Sequence, residues 1–110
     1  MLKKINRVSK RKEVMELRGS RIVYQSPIFG MLFLDKKDGE KKFMAVVSKK
    51  ISKKAVERNK IKRQLFEVLR LNLEKIRPGV RAGFLVRKKI LDCKWEEIKA
   101  EVERAVEKLK

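Results

Sequence analysis

One segment limits the possible folds of this chain more than any other: the basic stretch from Lys53 to Ile76. Its apolar residues recur at helical spacing, which predicts an amphipathic helix. Pro78 and Gly79 follow directly and cannot continue such a helix. Five residues share the apolar face and are expected to pack on a sheet: Ile61, Leu65, Val68, Leu69 and Ile76. The opposite side is expected to carry Asn59, Arg63 and Arg70, with Phe66 beside them.

The same helix carries far more positive charge than it can balance. Seven Lys or Arg stand against two Glu between Lys53 and Arg70. The formal net charge of the chain is +18, yet residues 92–110 hold six acidic and five basic residues, so the excess lies in the earlier part. Like charges at helical spacing destabilise a helix, and a charge of this size favours an anionic partner. The sequence therefore predicts binding to a polyanion.

The remaining elements predict an α+β fold with the order α-β-β-β-α-β-α. A first helix is expected from Ser9, as N-cap, to about Arg18, and a last helix from Asp92, as N-cap. We predict four strands, over residues 20–25, 28–35, 41–48 and 80–88.

The strands predict a sandwich built on one mostly antiparallel four-stranded sheet. The first three strands read as an antiparallel meander, with Asp38 and Gly39 as a hairpin turn between the second and third. The strand after the basic helix is expected to pair parallel with the strand before it. With no linker or repeat, residues 1–110 are predicted to form a single domain.

The composition argues against a catalytic centre in the protein. The chain has no His and one Cys, Cys93, which excludes a thiol–imidazole pair and a cysteine-based metal site. The acidic residues of the turn and the basic helix show no sign of convergence, so no protein metal site is expected. No apolar run is long enough to span a bilayer and no signal segment is visible, so a cytoplasmic protein is expected.

A specific family resemblance starts in the basic helix. The run AVERNKIKRQLFEVLR, preceded by FMAVVSKKISKK, resembles the RNR signature of the bacterial ribonuclease P protein subunit, and NRVSKRKEV resembles that family's basic lead-in. The resemblance implies a ribosomal protein S5 domain 2-like fold with a left-handed crossover around the helix. It also implies a subunit that binds the catalytic RNA and the 5′ leader of precursor tRNA and assists removal of that leader. Mg²⁺ would then belong to the RNA.

The resemblance also implies two sets of binding residues. RNA-binding residues on the helix and its approach are Ser48, Lys49, Lys50, Lys53, Lys54, Arg58, Asn59, Lys60, Lys62, Arg63 and Arg70. Leader-binding candidates are Arg11, Val14, Leu17, Tyr24, Phe29, Met31 and Phe33. For the aromatic candidates on the strands, a place in the hydrophobic core is the competing interpretation.

The first helix departs from the family pattern. Relatives present two aromatic residues there; here Val14 takes the first place and the second has no clear equivalent, because the segment before Gly19 is shorter.

Three other classes of protein are consistent with the high positive net charge of the chain. A general basic RNA-binding or ribosomal protein without a role in cleavage is the main alternative. A cationic membrane protein is disfavoured by the strands, which need a shared core. A DNA-binding protein is disfavoured because no helix-turn-helix or basic-zipper pattern is present. The expected partners are ribonuclease P RNA and precursor tRNA, with neither membrane nor DNA.

Overall fold

The computed structural model describes residues 2–110 and shows three helices and one four-stranded sheet in the predicted α-β-β-β-α-β-α order. The elements are α1 (Arg11–Arg18), β1 (Arg21–Gln25), β2 (Phe29–Asp35), β3 (Lys42–Val46), α2 (Ala55–Leu71), β4 (Val80–Val86) and α3 (Trp95–Val106). The α+β class is thereby confirmed.

Three predicted helix ends are wrong, each for a local reason. Lys10, not Ser9, is the N-cap of α1. Helix α2 ends at Leu71 rather than Ile76, because the buried side chain of Asn72 donates to Val68 O at 2.8 Å and closes the last turn. Helix α3 begins after Lys94, whose backbone N–H donates to the Glu97 carboxylate at 3.0 Å. Asp92 instead ends a short 3₁₀ turn, Lys88–Asp92.

The sheet has the order β1-β2-β4-β3, so the predicted pairing of the first two strands is confirmed and that of the second and third strands is wrong. Strands β1/β2 and β2/β4 pair antiparallel, whereas β3 and β4 pair parallel, as predicted. Strands β2 and β4 are the two inner strands, and β4 is buried along almost its whole length. Asp38 and Gly39 therefore belong to a loop that crosses the start of β4, and not to a hairpin. The left-handed sense of the β3-α2-β4 crossover stays a prediction.

The sheet lies between two layers of helix. Phe29, Met31 and Phe33 of β2 face α2 and α3 and join the main core. Other members of this core are Phe43, Leu65, Phe84 and Val102. Even-numbered residues of β2 face α1, where Leu17, Leu32 and Met44 form a second, smaller core. Both faces of β2 are thus covered along much of its length.

Gly79 holds the crossing loop in place. Its carbonyl accepts from Lys36 N at 2.9 Å and its N–H donates to Glu40 O at 2.7 Å. Its φ angle is +92°, in the region that favours glycine, and a Cβ atom there would lie 2.8 Å from Lys37 N. Arg81, 5% exposed, binds the same loop by donating to both carboxylate oxygens of Asp38, at 3.1 and 2.7 Å.

Replacing Gly79 with Ala is expected to lower the free energy of unfolding by about 1–3 kcal/mol, because the side chain adds backbone strain and a clash. Urea denaturation measures the loss. Gly39→Ala is the matched control, since a Cβ at residue 39 meets nothing within 4 Å. Equal stability of the two variants would contradict the assigned role of Gly79.

Candidate nucleic-acid interface

The outward side of α2 presents a compact group of hydrogen-bond donors. Asn59, Lys60 and Arg63 are exposed there, and we call them the α2 donor face. The inward side is buried and wider than predicted: it comprises Ile61, Leu65, Phe66, Val68 and Leu69. Phe66 was predicted to lie beside the outward cations, but it is 9% exposed and belongs to the main core. The three side chains of the donor face are polar, and Val56, 79% exposed, lies one turn before them on the same side of α2.

Two cations of the predicted motif lie at the border of the donor face. Arg58 and Lys62 are half-buried. The Arg58 guanidinium donates from Nη1 to Ser52 O at 2.8 Å, which joins the first turn of α2 to the preceding loop. Arg58 thus holds the loop in place, and its other N–H groups stay available.

The loop before α2 carries the predicted approach residues. Strand β3 ends at Val46, so Ser48, Lys49 and Lys50 lie in a turn and not in a strand as predicted. Ile51 N donates to Ser48 O at 3.0 Å and closes this turn. The lysines of the turn are all exposed: Lys49, Lys50, Lys53 and Lys54. They extend the positive surface of the donor face toward the sheet.

Arg70 stands apart from the donor face. It lies twelve residues beyond Arg58, which is about 18 Å along a helix. Its guanidinium makes a two-pronged pair with Glu67, with Nη2 to Oε1 at 2.5 Å and Nε to Oε1 at 3.0 Å. Hydrogen bonding between the two groups lowers the pKa of Glu67 and raises the pKa of Arg70. Much of the positive charge of Arg70 is therefore balanced by Glu67 within the protein.

Most of the predicted leader-binding residues are core residues. Phe29 and Met31 are 0% exposed and Leu17 is 1% exposed, so these three side chains present no surface to a leader in this structure. Phe33 is half-buried against the main core, and the Arg77 guanidinium covers its ring at 5.0 Å. The first three side chains have no free surface for a nucleotide to stack on, and Arg77 occupies one face of the Phe33 ring.

Tyr24 also lies on the α3 side of the sheet. Its hydroxyl donates to Glu101 Oε1 at 3.2 Å, and burial, with the nearby Glu101 charge, raises the pKa of the phenol. Within residues 2–110, every aromatic side chain belongs to the main core or packs against it. The α1 side of the sheet is thus lined by aliphatic and polar groups alone.

Helix α1 covers only part of its side of the sheet. Leu17 lies over Gly83, 3.2 Å from where a Cβ would stand, and Glu13 reaches Lys42 at 3.7 Å. Beyond α1, one row of neighbouring residues crosses the sheet: Val46, Leu85, Gly30 and Gln25. Val46 and Leu85 are half-buried, and Ile22, which lies beside Gly30 on β1, is 40% exposed. We call Ile22, Gln25, Val46, Leu85 and the following Arg87 the open sheet end.

The two remaining leader candidates lie on α1. Arg11 is exposed and Val14 is half-buried against the smaller core that Val46 and Leu85 also join. They belong to the same face of the sheet as the open sheet end.

The donor face and the open sheet end occur at one end of the molecule. Strands β3 and β4 are parallel, so their carboxyl ends meet at the same edge of the sheet. The turn of residues 48–54, which leads into α2, follows one strand, and the basic run of residues 87–89 follows the other. A single extended nucleic-acid complex can therefore contact both surfaces.

A family model decides the assignment. The model for ribonuclease P matches residues 2–110, the whole described chain. The chain belongs to the ribonuclease P protein family.

Relatives and solved structures agree with the ribonuclease P assignment. The chain is 31% identical to the ribonuclease P protein component of Rippkaea orientalis over 99% of this chain and 90% of that protein. It is 41% identical to the component of a Synechococcus species over 57% of this chain and 47% of that protein. The structure of Staphylococcus aureus RNase P protein superposes with a TM-score of 0.83 at 23% identity, covering 97% of both chains.

The ribonuclease P resemblance identified the helix surface but missed the open sheet end. The run IFGMLFLD is apolar on both faces, so alternation alone could not tell which residues face α1. Gly30 was the one available signal, because glycine within a strand often marks the close approach of another group.

Proposed function

We propose that this member of the ribonuclease P family binds ribonuclease P RNA through the α2 donor face and the turn of residues 48–54. The observation that supports this proposal most directly is that Asn59, Lys60 and Arg63 are exposed together while α2 buries its opposite side. Among the residues described, neither Lys60 nor Arg63 forms an ion pair. A forked guanidinium and an amide beside lysines suit phosphate and base contacts better than a plain lysine tract.

We further propose that the 5′ leader of precursor tRNA binds along the open sheet end and α1. Ile22, Val46 and Leu85 offer apolar contact for bases, and Arg11 and Arg87 are exposed cations at the same face. This places the leader at the end of the molecule where the donor face begins. Catalytic RNA and substrate would then meet across one protein surface.

Chemistry is assigned to the RNA in this proposal. The protein carboxylates do not suit Mg²⁺ binding, because many are engaged with cations: Arg81 binds Asp38 and Glu40, and Lys36 binds Glu16 at 2.5 Å. No cluster of three or more potential metal-ligating side chains occurs in residues 2–110. The protein contributes by positioning the substrate and by offsetting phosphate repulsion.

No helix within residues 2–110 is long and apolar enough to cross a membrane.

The test is cleavage of a 5′-extended precursor tRNA by bacterial ribonuclease P RNA at low Mg²⁺, with and without the protein. The proposal predicts that the protein lowers the Mg²⁺ concentration needed and releases the mature 5′ end, because it supplies positive charge where the two RNAs meet. Protein without RNA is the control and is expected to leave the precursor intact.

Two results would contradict the proposal. RNA binding without stimulation would favour the general RNA-binding alternative. Leader removal by the protein alone would show that the chemistry does not lie in the RNA.

A further inference from the structure

A cleft opens between the 3₁₀ turn Lys4–Asn6 and the far end of α2. It has a volume of about 480 Å³ and is lined by Leu2, Lys3, Ile5, Asn6, Arg70 and Leu73. Clefts of roughly 300–1,000 Å³ hold small ligands in many proteins. None of the lining residues belongs to the donor face, the turn of residues 48–54 or the open sheet end, so the cleft is a separate surface.

Lys41 joins the two walls of the cleft. Its carbonyl accepts from Asn6 Nδ2 at 2.9 Å, and its ammonium donates to Leu73 O at 2.9 Å. Leu2, 2% exposed, is anchored in the main core. The shape of the cleft is therefore set by the fold.

Ile5 is the least buried apolar residue of the cleft. A single exposed apolar side chain is common on protein surfaces and needs no explanation by itself. Ile5, however, is 66% exposed and borders a cleft whose other apolar residues, Leu2 and Leu73, lie deeper. The three side chains together offer an apolar contact surface for a flat group.

The charge around the cleft favours an anionic occupant. Residues 2–12 hold six basic residues and no acidic one. Lys3 and Lys4 are exposed, and neither forms an ion pair among the residues described. An apolar cleft with a cationic rim suits a nucleotide, because the base and the phosphate match the two parts of the surface.

Arg70 links the cleft to the α2 donor face. It follows Arg63 by seven residues, about two helical turns, so both lie on the same side of α2, roughly 10 Å apart along its axis. The pair with Glu67 balances charge, and its bonds at Nε and Nη2 also set the plane of the guanidinium. A guanidinium in a set plane can stack on a base even when its charge is paired.

We propose that the cleft binds one unpaired base of ribonuclease P RNA and that Lys3 binds an adjacent phosphate. The base contacts Ile5 and Leu73 and stacks on the Arg70 guanidinium. The RNA on the donor face reaches the cleft along the outward side of α2. The inference rests on the proposed function, since it assumes that the donor face binds this RNA.

The test measures the affinity of the Ile5→Ser variant for ribonuclease P RNA, without precursor tRNA, at several salt concentrations. Affinity is expected to fall about fivefold, because the base loses its apolar contact. The slope of log affinity against log salt is expected to stay unchanged, since no phosphate contact is removed. Lys3→Ala is expected instead to lower that slope by about 1. Arg70→Lys keeps the charge but loses the planar group, and is expected to lower affinity about threefold.

Met15→Ser is the matched control. Met15 is 64% exposed on α1, outside the cleft, so the variant removes a comparable apolar side chain and is expected to keep wild-type affinity. Chemical probing of the RNA bases reads the site itself. The bound wild type is expected to protect one unpaired base from modification, and Ile5→Ser at saturating protein to leave that base reactive.

Four results would overturn the inference. Ile5→Ser binds as tightly as the wild type, Met15→Ser shows the same loss, or no base loses its protection in Ile5→Ser. The fourth is self-association of the wild type without RNA that Ile5→Ser abolishes, which would assign the cleft to a second copy of the chain.

The donor-face variant Lys60→Ala/Lys62→Ala/Arg63→Ala separates these failures from failure of the proposed function. If that variant binds the RNA as tightly as the wild type, the proposed function fails too. If it loses affinity and Ile5→Ser does not, only the cleft inference fails.

Discussion

Removing three cations from α2, in the variant Lys60→Ala/Lys62→Ala/Arg63→Ala, is expected to weaken binding to ribonuclease P RNA by about tenfold to a hundredfold at 0.15 M salt. The slope of log affinity against log salt is expected to fall by about 2–3, because each phosphate contact releases counterions. Arg58 is left in place because its bond to Ser52 O holds the preceding loop. Filter binding or fluorescence titration at several salt concentrations measures both quantities.

The matched control for this variant, Lys99→Ala/Arg104→Ala/Lys108→Ala, removes two cations from α3 and one from the 3₁₀ turn that follows it, Glu107–Leu109. It makes the same change in net charge at residues outside both the donor face and the turn of residues 48–54. Its salt slope is expected to change far less. Equal losses in the two variants would show that net charge alone drives binding and would contradict a specific donor face.

Phe29→Ala is expected to lower the free energy of unfolding by about 3–5 kcal/mol. Phe29 is 0% exposed and its ring packs edge-to-face on Phe84, with centroids 4.9 Å apart. Removing the ring leaves a cavity in the main core as well as losing apolar burial. Thermal or urea denaturation measures the loss.

Ile22→Ala is the contrasting variant for Phe29→Ala. Ile22 is 40% exposed, so its removal is expected to cost far less stability while weakening leader-dependent affinity. A Phe29→Ala protein that keeps wild-type stability but loses leader affinity would contradict the core assignment and restore Phe29 as a leader residue.

The sequence predicted the helix surface well because its signal is local. The apolar spacing of α2 follows from helix geometry alone, and the exposure of Asn59, Lys60 and Arg63 follows from it. Phe66 was predicted on the wrong side of α2 because the buried side of this helix is wider than a single apolar stripe. That width depends on how α3 packs against α2. The helix ends moved for similar reasons: Asn72 and Lys94 act through side-chain and backbone bonds that spacing does not show.

The sheet order was harder to predict because it depends on long-range pairing. An Asp-Gly pair between two strand-like runs usually predicts a hairpin, but here Asp38 binds Arg81, forty-three residues later. Strand β4 enters between β2 and β3, and nothing local to either strand indicates that. The open sheet end depends on this insertion, since it joins residues of β1, β3 and β4 across Gly30 of β2.

Crosslinking from single cysteines, in the assembled holoenzyme with precursor tRNA, tests whether the donor face and the open sheet end bind different RNAs. In a Cys93→Ser background, a thiol-linked aryl azide is placed at Arg63→Cys on the donor face, at Val46→Cys on the open sheet end, and at Lys99→Cys on α3 as control. We expect the residue 63 probe to label ribonuclease P RNA and the residue 46 probe to label the 5′ leader. The residue 99 probe is expected to label neither. Labelling of the same RNA by the first two probes, or labelling of the leader from α3, would contradict the assignment of the two RNAs to separate surfaces.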